Sequence, residues 1–148
     1  MKKFLLLLFV AFSVSEAYAV NVKISDEDQL KTLVDIFSIA IVKKDKAWIT
    51  SNLSGNCKMY EPSGSTLDRA GVAYTFTAGV YDISKSAALN KSFTVDGATA
   101  GGSAEFEVEG VGNINGNRID IAGSYRFNFK FTKFDKGWMI SEIIINER

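Results

Sequence analysis

The chain contains no histidine, a single cysteine (Cys57) and a single proline (Pro62). The missing histidine excludes Asp–His acid/base pairs and Ser–His or Cys–His nucleophiles, and removes the commonest ligand of transition metals. No metal and no cofactor is therefore expected. One cysteine cannot form an intramolecular disulfide, and without a histidine to activate its thiol Cys57 reads as a small buried apolar residue. Charge of one sign is also lacking: 17 Lys and Arg balance 17 Asp and Glu, with no basic block. That excludes nucleic acid as the expected partner. The glycine-rich stretches carry no Gly-Lys-Ser/Thr ending, so they do not form a phosphate-binding loop. No apolar run reaches the ~20 residues that a membrane-spanning helix needs.

The apolar run that is present, Phe4 to Val14, follows Lys2 and Lys3 and precedes the small-residue site Ala17-Tyr18-Ala19. This is the pattern of a bacterial-type signal peptide over residues 1–19, cleaved after Ala19. The expected product is a periplasmic or secreted domain over residues 20–148, starting at Val20. Its 129 residues suit one domain with one core, and its formal charge is −1.

Ser25-Asp26-Glu27-Asp28 is a helix start, with Ser25 able to cap and the acids favourable at the positive end of the helix dipole. Leu30, Leu33, Val34, Phe37 and Ile41 recur at helical spacing. Ile36, Ile39 and Ala40 widen the stripe, so the helix is expected to be covered on much of its circumference. Lys43, Lys44 and Lys46 mark its basic end. Trp48, Ile49 and Leu53 suggest a short second helix before Ser54-Gly55-Asn56, and Cys57 to Glu61 alternates as a strand. After the Pro62-Ser63-Gly64-Ser65 break, residues 66–82 read as a third helix with Leu67, Ala70, Tyr74 and Tyr81 on one side, interrupted by Gly71 and Gly79.

From Asn90 onward the pattern is antiparallel sheet, with turns at Asp96-Gly97, Asn115-Gly116 and Asp135-Lys136-Gly137. Glycines 101, 102, 110, 112 and 123 lie inside long strands, where they mark bulges or bends. A two-residue turn at Asn115-Gly116 places Glu105 opposite Arg126 and Phe106 opposite Tyr125. One face then carries Phe106, Val108, Tyr125, Phe127, Phe129 and Phe131; the other carries Glu105, Glu107, Glu109, Arg126, Asn128 and Lys130. The three glutamates are a solvated strand face, spaced too widely for one compact Ca²⁺ site. A three-residue loop at 135–137 puts Lys130 opposite Glu142 and sets Met139, Ser141, Ile143 and Ile145 beside the phenylalanines. Trp138, Ile140 and Ile144 then fall on the wetter face, to be covered by the opening helix or a partner subunit; a loop one residue different instead moves Glu142 to the aromatic face.

A capped long helix, a short helix, a strand, a third helix and a meander ending in Lys136-Gly137-Trp138-Met139-Ile140-Ser141-Glu142 is similar to the nuclear transport factor 2-like superfamily, with its SnoaL-like and cystatin-like α+β cone folds. The Thr94-Val95-Asp96-Gly97-Ala98-Thr99-Ala100 hairpin resembles its pattern too. The resemblance spans nearly all of residues 20–148. It implies a strongly curved sheet wrapped around about three helices, a cone whose mouth holds a small apolar molecule, and a homodimer through the sheet. It implies no single activity, because isomerases, dehydratases, cyclases, hydrolases and binding proteins share the fold.

Enzymes of that superfamily pair a pocket carboxylate with His, Tyr or Arg. Here only an Asp–Tyr type of chemistry survives, with Tyr60, Tyr74 or Tyr125 donating a hydrogen bond and Glu61, Asp68 or Glu142 as the base. No spacing selects among them. Two readings stand: a non-catalytic binding or assembly domain, with a pocket bounded by Tyr60, Tyr74, Phe106, Tyr125 and Phe127, or a cofactor-independent acid/base enzyme on a small apolar substrate. The first is favoured because it demands less of a histidine-free chain.

Overall fold

The computed structural model describes residues 23–147. The signal-peptide segment, its Ala17-Tyr18-Ala19 site and the expected start at Val20 lie outside the described residues. Helix α1 (Asp26–Lys43) begins where the sequence says, with the Ser25 side chain accepting from the Asp28 backbone N–H, and ends at Lys44 in the left-handed conformation. Its inner face of Leu30, Val34, Phe37, Ala40 and Ile41 is buried, but Ile36 and Ile39 are exposed. The helix thus has one covered face rather than a wide one, because a single concave sheet surface meets it. Asp45 caps α2 (Lys46–Asn52). Strand β1 (Leu53–Tyr60) follows at once. Leu53 and Ser54-Gly55-Asn56 therefore lie in the strand, with Leu53, Cys57 and Met59 turned inward.

Residues 66–82 do not form one helix. Thr66–Asp68 is a short strand, β2, paired with β1, and α3 is confined to Arg69–Thr77. Asp68 caps α3, and Gly79 in the left-handed region (φ +84°) turns the chain out of it. Tyr81 then opens a strand, β3 (Tyr81–Asp96), so the continuous sheet starts nine residues before Asn90. Strands β4 (Thr99–Ile114), β5 (Asn117–Asp120), β6 (Gly123–Phe134) and β7 (Gly137–Glu147) complete it. The sheet order is β2-β1-β7-β6-β4-β3, with β5 also on β4. The β1–β7 pairing is parallel and the remaining pairings are antiparallel, so the sheet is mixed.

The Asn115-Gly116 turn sets the register foreseen: Glu105 faces Arg126 and Phe106 faces Tyr125. The last hairpin departs from expectation. Its loop is two residues long, pairing Phe134 with Gly137, and a bulge at Ser141 restores Lys130 opposite Glu142. A bulge adds one residue to one strand and reverses inside and outside beyond it. Trp138 and Ile140 are consequently buried in the core and Met139 is on the outer face; Ile143 and Ile145 remain inside and Ile144 outside, as expected. The cover over Trp138 is the opening helix, since Trp138 Nε1 donates to Asp26 Oδ1 at 3.1 Å and Lys133 Nζ binds the same oxygen at 2.8 Å.

The sheet is bent by two further irregularities, between Ile83 and Lys85 and between Leu89 and Ser92, the second containing Asn90 at φ +47°. Gly110 and Gly102 lie on β4 opposite these two points. The bend closes the sheet over a core of aromatic rings: Phe37 meets Phe76, Phe106 and Phe129 edge to face, and Phe106 stacks on Phe127 at 4.1 Å.

Candidate functional site

At the end of the sheet away from Trp138, the core is not filled. A cavity of about 160 Å³ opens between α3, the far halves of β3 and β4, the β4–β5 hairpin, and the ends of β6 and β7. Phe76 comes from α3, Tyr81 and Ile83 from β3, and Val108 and Ile114 from β4. Ile119 and Ile121 follow the Asn-Gly turn, Tyr125 and Phe127 lie on β6, Ile145 and Glu147 on β7, and Pro62 and Ser63 on the loop after β1. The lining is mainly aliphatic and aromatic because these positions share the inward parity of their strands. Among the helices α3 contributes to the wall, through Phe76 in its last turn, where the ring meets Tyr81.

Two tyrosine hydroxyls punctuate the wall. Tyr81 donates to Glu61 Oε1 at 2.7 Å, and Tyr125 donates to the Ile121 carbonyl at 2.8 Å. Burial, then the Glu61 carboxylate, pushes ionisation of Tyr81 well above the usual phenol range. Burial also raises Tyr125, helped by the negative charges of Glu147 and Asp120. Both phenols are thus held neutral.

Of the binding residues expected from sequence, the structure brings only Tyr125 and Phe127 to the cavity. Phe106 is fully buried in the core and is not among the residues that line the cavity. Tyr60 points from the outer face of β1 and is 39% exposed, and Tyr74, on the solvent side of α3, is 62% exposed. Among the acids, Asp68 is committed as the α3 cap, its Oδ1 accepting from Gly71 N–H at 2.9 Å. Glu142 sits on the outer face against Lys130 at 2.8 Å, with no access to the concave side. Glu61 alone is beside the cavity, through Tyr81 rather than through any of the three tyrosines expected. Cys57 is buried, and burial followed by the Glu142 charge pushes its thiol up to about 11, so it is inert as a nucleophile.

Tyr81 escapes sequence reasoning because helical spacing with Tyr74 and Leu67 conceals the strand that begins at Tyr81. Ile119, Ile121 and Glu147 carry a usable signal. The first two alternate after the Asn-Gly turn on the parity of Tyr125, and the Tyr125–Glu147 pair follows from carrying the Lys130–Glu142 register to the end of the chain. Among the described residues no group of three or more Cys, Asp or Glu side chains could hold a metal ion, and no helix is long and apolar enough to cross a membrane.

No protein-family model matches the sequence, and no curated protein matches it significantly. Solved structures do resemble it. A nuclear transport factor 2-like protein from Cytophaga hutchinsonii superposes with a TM-score of 0.76 at 14% identity, over 84% of this chain and 100% of that one. A Novosphingobium aromaticivorans protein described as having a cystatin-like fold gives 0.64 at 13% identity, over 82% and 81%. A nuclear transport factor 2 superfamily protein from Salmonella enterica gives 0.65 at 17% identity, over 82% and 90%. Superposition over this much of each chain establishes that this protein has the nuclear transport factor 2-like fold.

Proposed function

We propose that the protein is an exported domain that binds a small apolar molecule in the cavity beside Tyr81 and Tyr125, without turning it over. The cavity itself carries the proposal: about 160 Å³ with a mainly apolar wall is room for a single-ring molecule. Apolar burial at about 25 cal/mol per Å² suffices for binding, whereas turnover needs an acid and a base both aimed at the ligand. Screening the purified protein against apolar metabolites for thermal stabilisation tests the reading, with each hit then assayed for isomerisation, dehydration and hydrolysis. Turnover that is lost in Glu61→Gln while binding survives would replace this reading with the catalytic one.

The catalytic reading rests on the Tyr81–Glu61 hydrogen bond. It pairs a phenol with a carboxylate at the wall of an apolar pocket, and a structurally similar protein from Streptomyces avermitilis is described as a candidate dehydratase. Its difficulty is direction. The Tyr81 proton is turned toward Glu61 and not toward the cavity, so it is not offered to a substrate carbonyl.

Export completes the proposal: cleavage after Ala19 would leave Val20 as the first residue, which mass spectrometry of the exported protein reads directly. An intact leader in a membrane fraction would refute it. A homodimer through the outer sheet face is the corresponding assembly proposal, supported by Tyr60, Ile144 and Leu89 on that face. Sedimentation of a single monomeric species at high concentration would exclude it.

A further inference from the structure

The two phenols of the cavity wall have one property in common: their protons are already spent. Tyr81 donates to Glu61 and Tyr125 to the Ile121 carbonyl. The Tyr125 direction is forced, because a backbone carbonyl has no proton to give back. The Tyr81 direction follows from an ionised carboxylate, which can only accept. What these side chains still present is acceptor capacity, in the remaining phenol lone pairs and two carboxylates. Glu147 lines the cavity directly and Glu61 stands behind Tyr81. No Lys or Arg is among the lining residues.

A ligand's own polar group must complement this set, or both sides lose hydration without compensation. A carboxylate would meet like charge at Glu147 and two phenols whose protons are turned elsewhere. A ketone would likewise find neither phenol donating. A plain hydrocarbon would fill the volume but leave the carboxylates to water. An ammonium is the complement, since it brings donors and positive charge to Glu147 and Glu61 while its apolar body lies among Ile83, Ile119, Ile121 and Phe127. Resting on the reading of this cavity as a ligand site, we propose that its ligand class is a small apolar amine of about single-ring size, bound as its ammonium.

Isothermal calorimetry with three probes built on the same ring, namely benzylamine, toluene and benzoate, tests this on the intact protein. A charge-assisted hydrogen bond should make benzylamine bind about tenfold or more tighter than toluene, with benzoate weakest. Glu61→Gln and Glu147→Gln should each narrow the benzylamine-to-toluene ratio, by about tenfold for the carboxylate that makes the closer contact. If one variant fails to fold, the other variant and the three-probe ranking on the unmodified protein still decide. Toluene equal to benzylamine, or benzoate tightest, overturns the amine assignment and leaves the cavity as a binding site. Binding of none of the three overturns the ligand-site reading and the amine assignment with it.

Discussion

Gly101 and Gly102 are neighbours on the same strand, yet alanine should have opposite effects at the two positions. A Cβ at Gly102 would stand 2.0 Å from the Ser92 carbonyl oxygen and 2.8 Å from Phe93 Cα, both backbone atoms. Strand β3 would have to retreat by roughly 1 Å before contact became tolerable. That movement loosens the ladder at Ser92–Ser103 and Phe93–Gly102, at about 1 kcal/mol for each hydrogen bond lost. It also draws Phe93 away from Phe129 and Phe131, against which its ring packs at 6.4 and 5.3 Å, for about 1–2 kcal/mol more. Gly102→Ala should therefore destabilise by about 3–4 kcal/mol, a large part of a typical domain's stability. A Cβ at Gly101 meets only the Phe129 carbonyl oxygen, at an ordinary 3.5 Å. Gly101→Ala should be neutral or stabilise by up to about 1 kcal/mol, because alanine narrows the unfolded ensemble. Urea melts of the two variants measure the difference. Midpoints equivalent to within about 1 kcal/mol would refute the close approach of β3 to β4 and the bend built on it.

The bulge at Ser141 predicts that Ile140→Thr, in the core, costs about 2–4 kcal/mol, whereas Ile144→Thr, on the outer face, costs less than about 1; urea melts showing similar costs at the two positions would restore the unbulged hairpin, which sets both on one face. Hydrogen bonds from Lys133 and Trp138 hold Asp26 below its ordinary value of 3.8. Its contribution is thus present above pH 3.8 and lost as pH falls through the lower folded value, so Asp26→Asn should lower stability at neutral pH and flatten the acid limb of a stability–pH curve. Tyr81 is raised above its ordinary 10.0, so its contribution is complete below pH 10 and lost as pH rises beyond it. Ultraviolet titration should show Tyr81 ionising only with alkaline unfolding, and Tyr81→Phe should remove that part of the alkaline slope; a normal phenol titration in folded protein would contradict the Glu61 bond.

Periodicity and turn chemistry made the Asn115-Gly116 register readable, because a two-residue loop with period-two strands leaves one pairing for every residue between Thr99 and Thr132. The same logic fails after Trp138. A bulge leaves no compositional mark at Ser141, and both parities of residues 138–145 offer enough apolar side chains to look like a core. Which parity is inside was decided by α1, whose Asp26 reaches the Trp138 indole from across the chain. Of the acids, Glu61, Asp68 and Glu142 look alike in sequence. Their separation into a wall group, a helix cap and an outer-face ion partner comes from where β1, α3 and β7 end up pointing.

Residues a few positions apart set the cap of α1, the Asn-Gly hairpin and the alternation of the phenylalanines, and composition excludes histidine chemistry and an intramolecular disulfide. The tertiary structure alone decided where the core stops and the cavity begins. Tyr125 and Phe127 line that space while Phe106, opposite Tyr125 on the next strand, is sealed. The difference is that Phe37 of α1 packs edge to face on Phe106, whereas the helices contribute Phe76 alone to the cavity wall. The assignment of Tyr81 to the wall was decided in the same way, because its partner Glu61 is twenty residues distant in the chain. A hydrogen bond of that span depends on the path of the backbone between its ends, which no local pattern records.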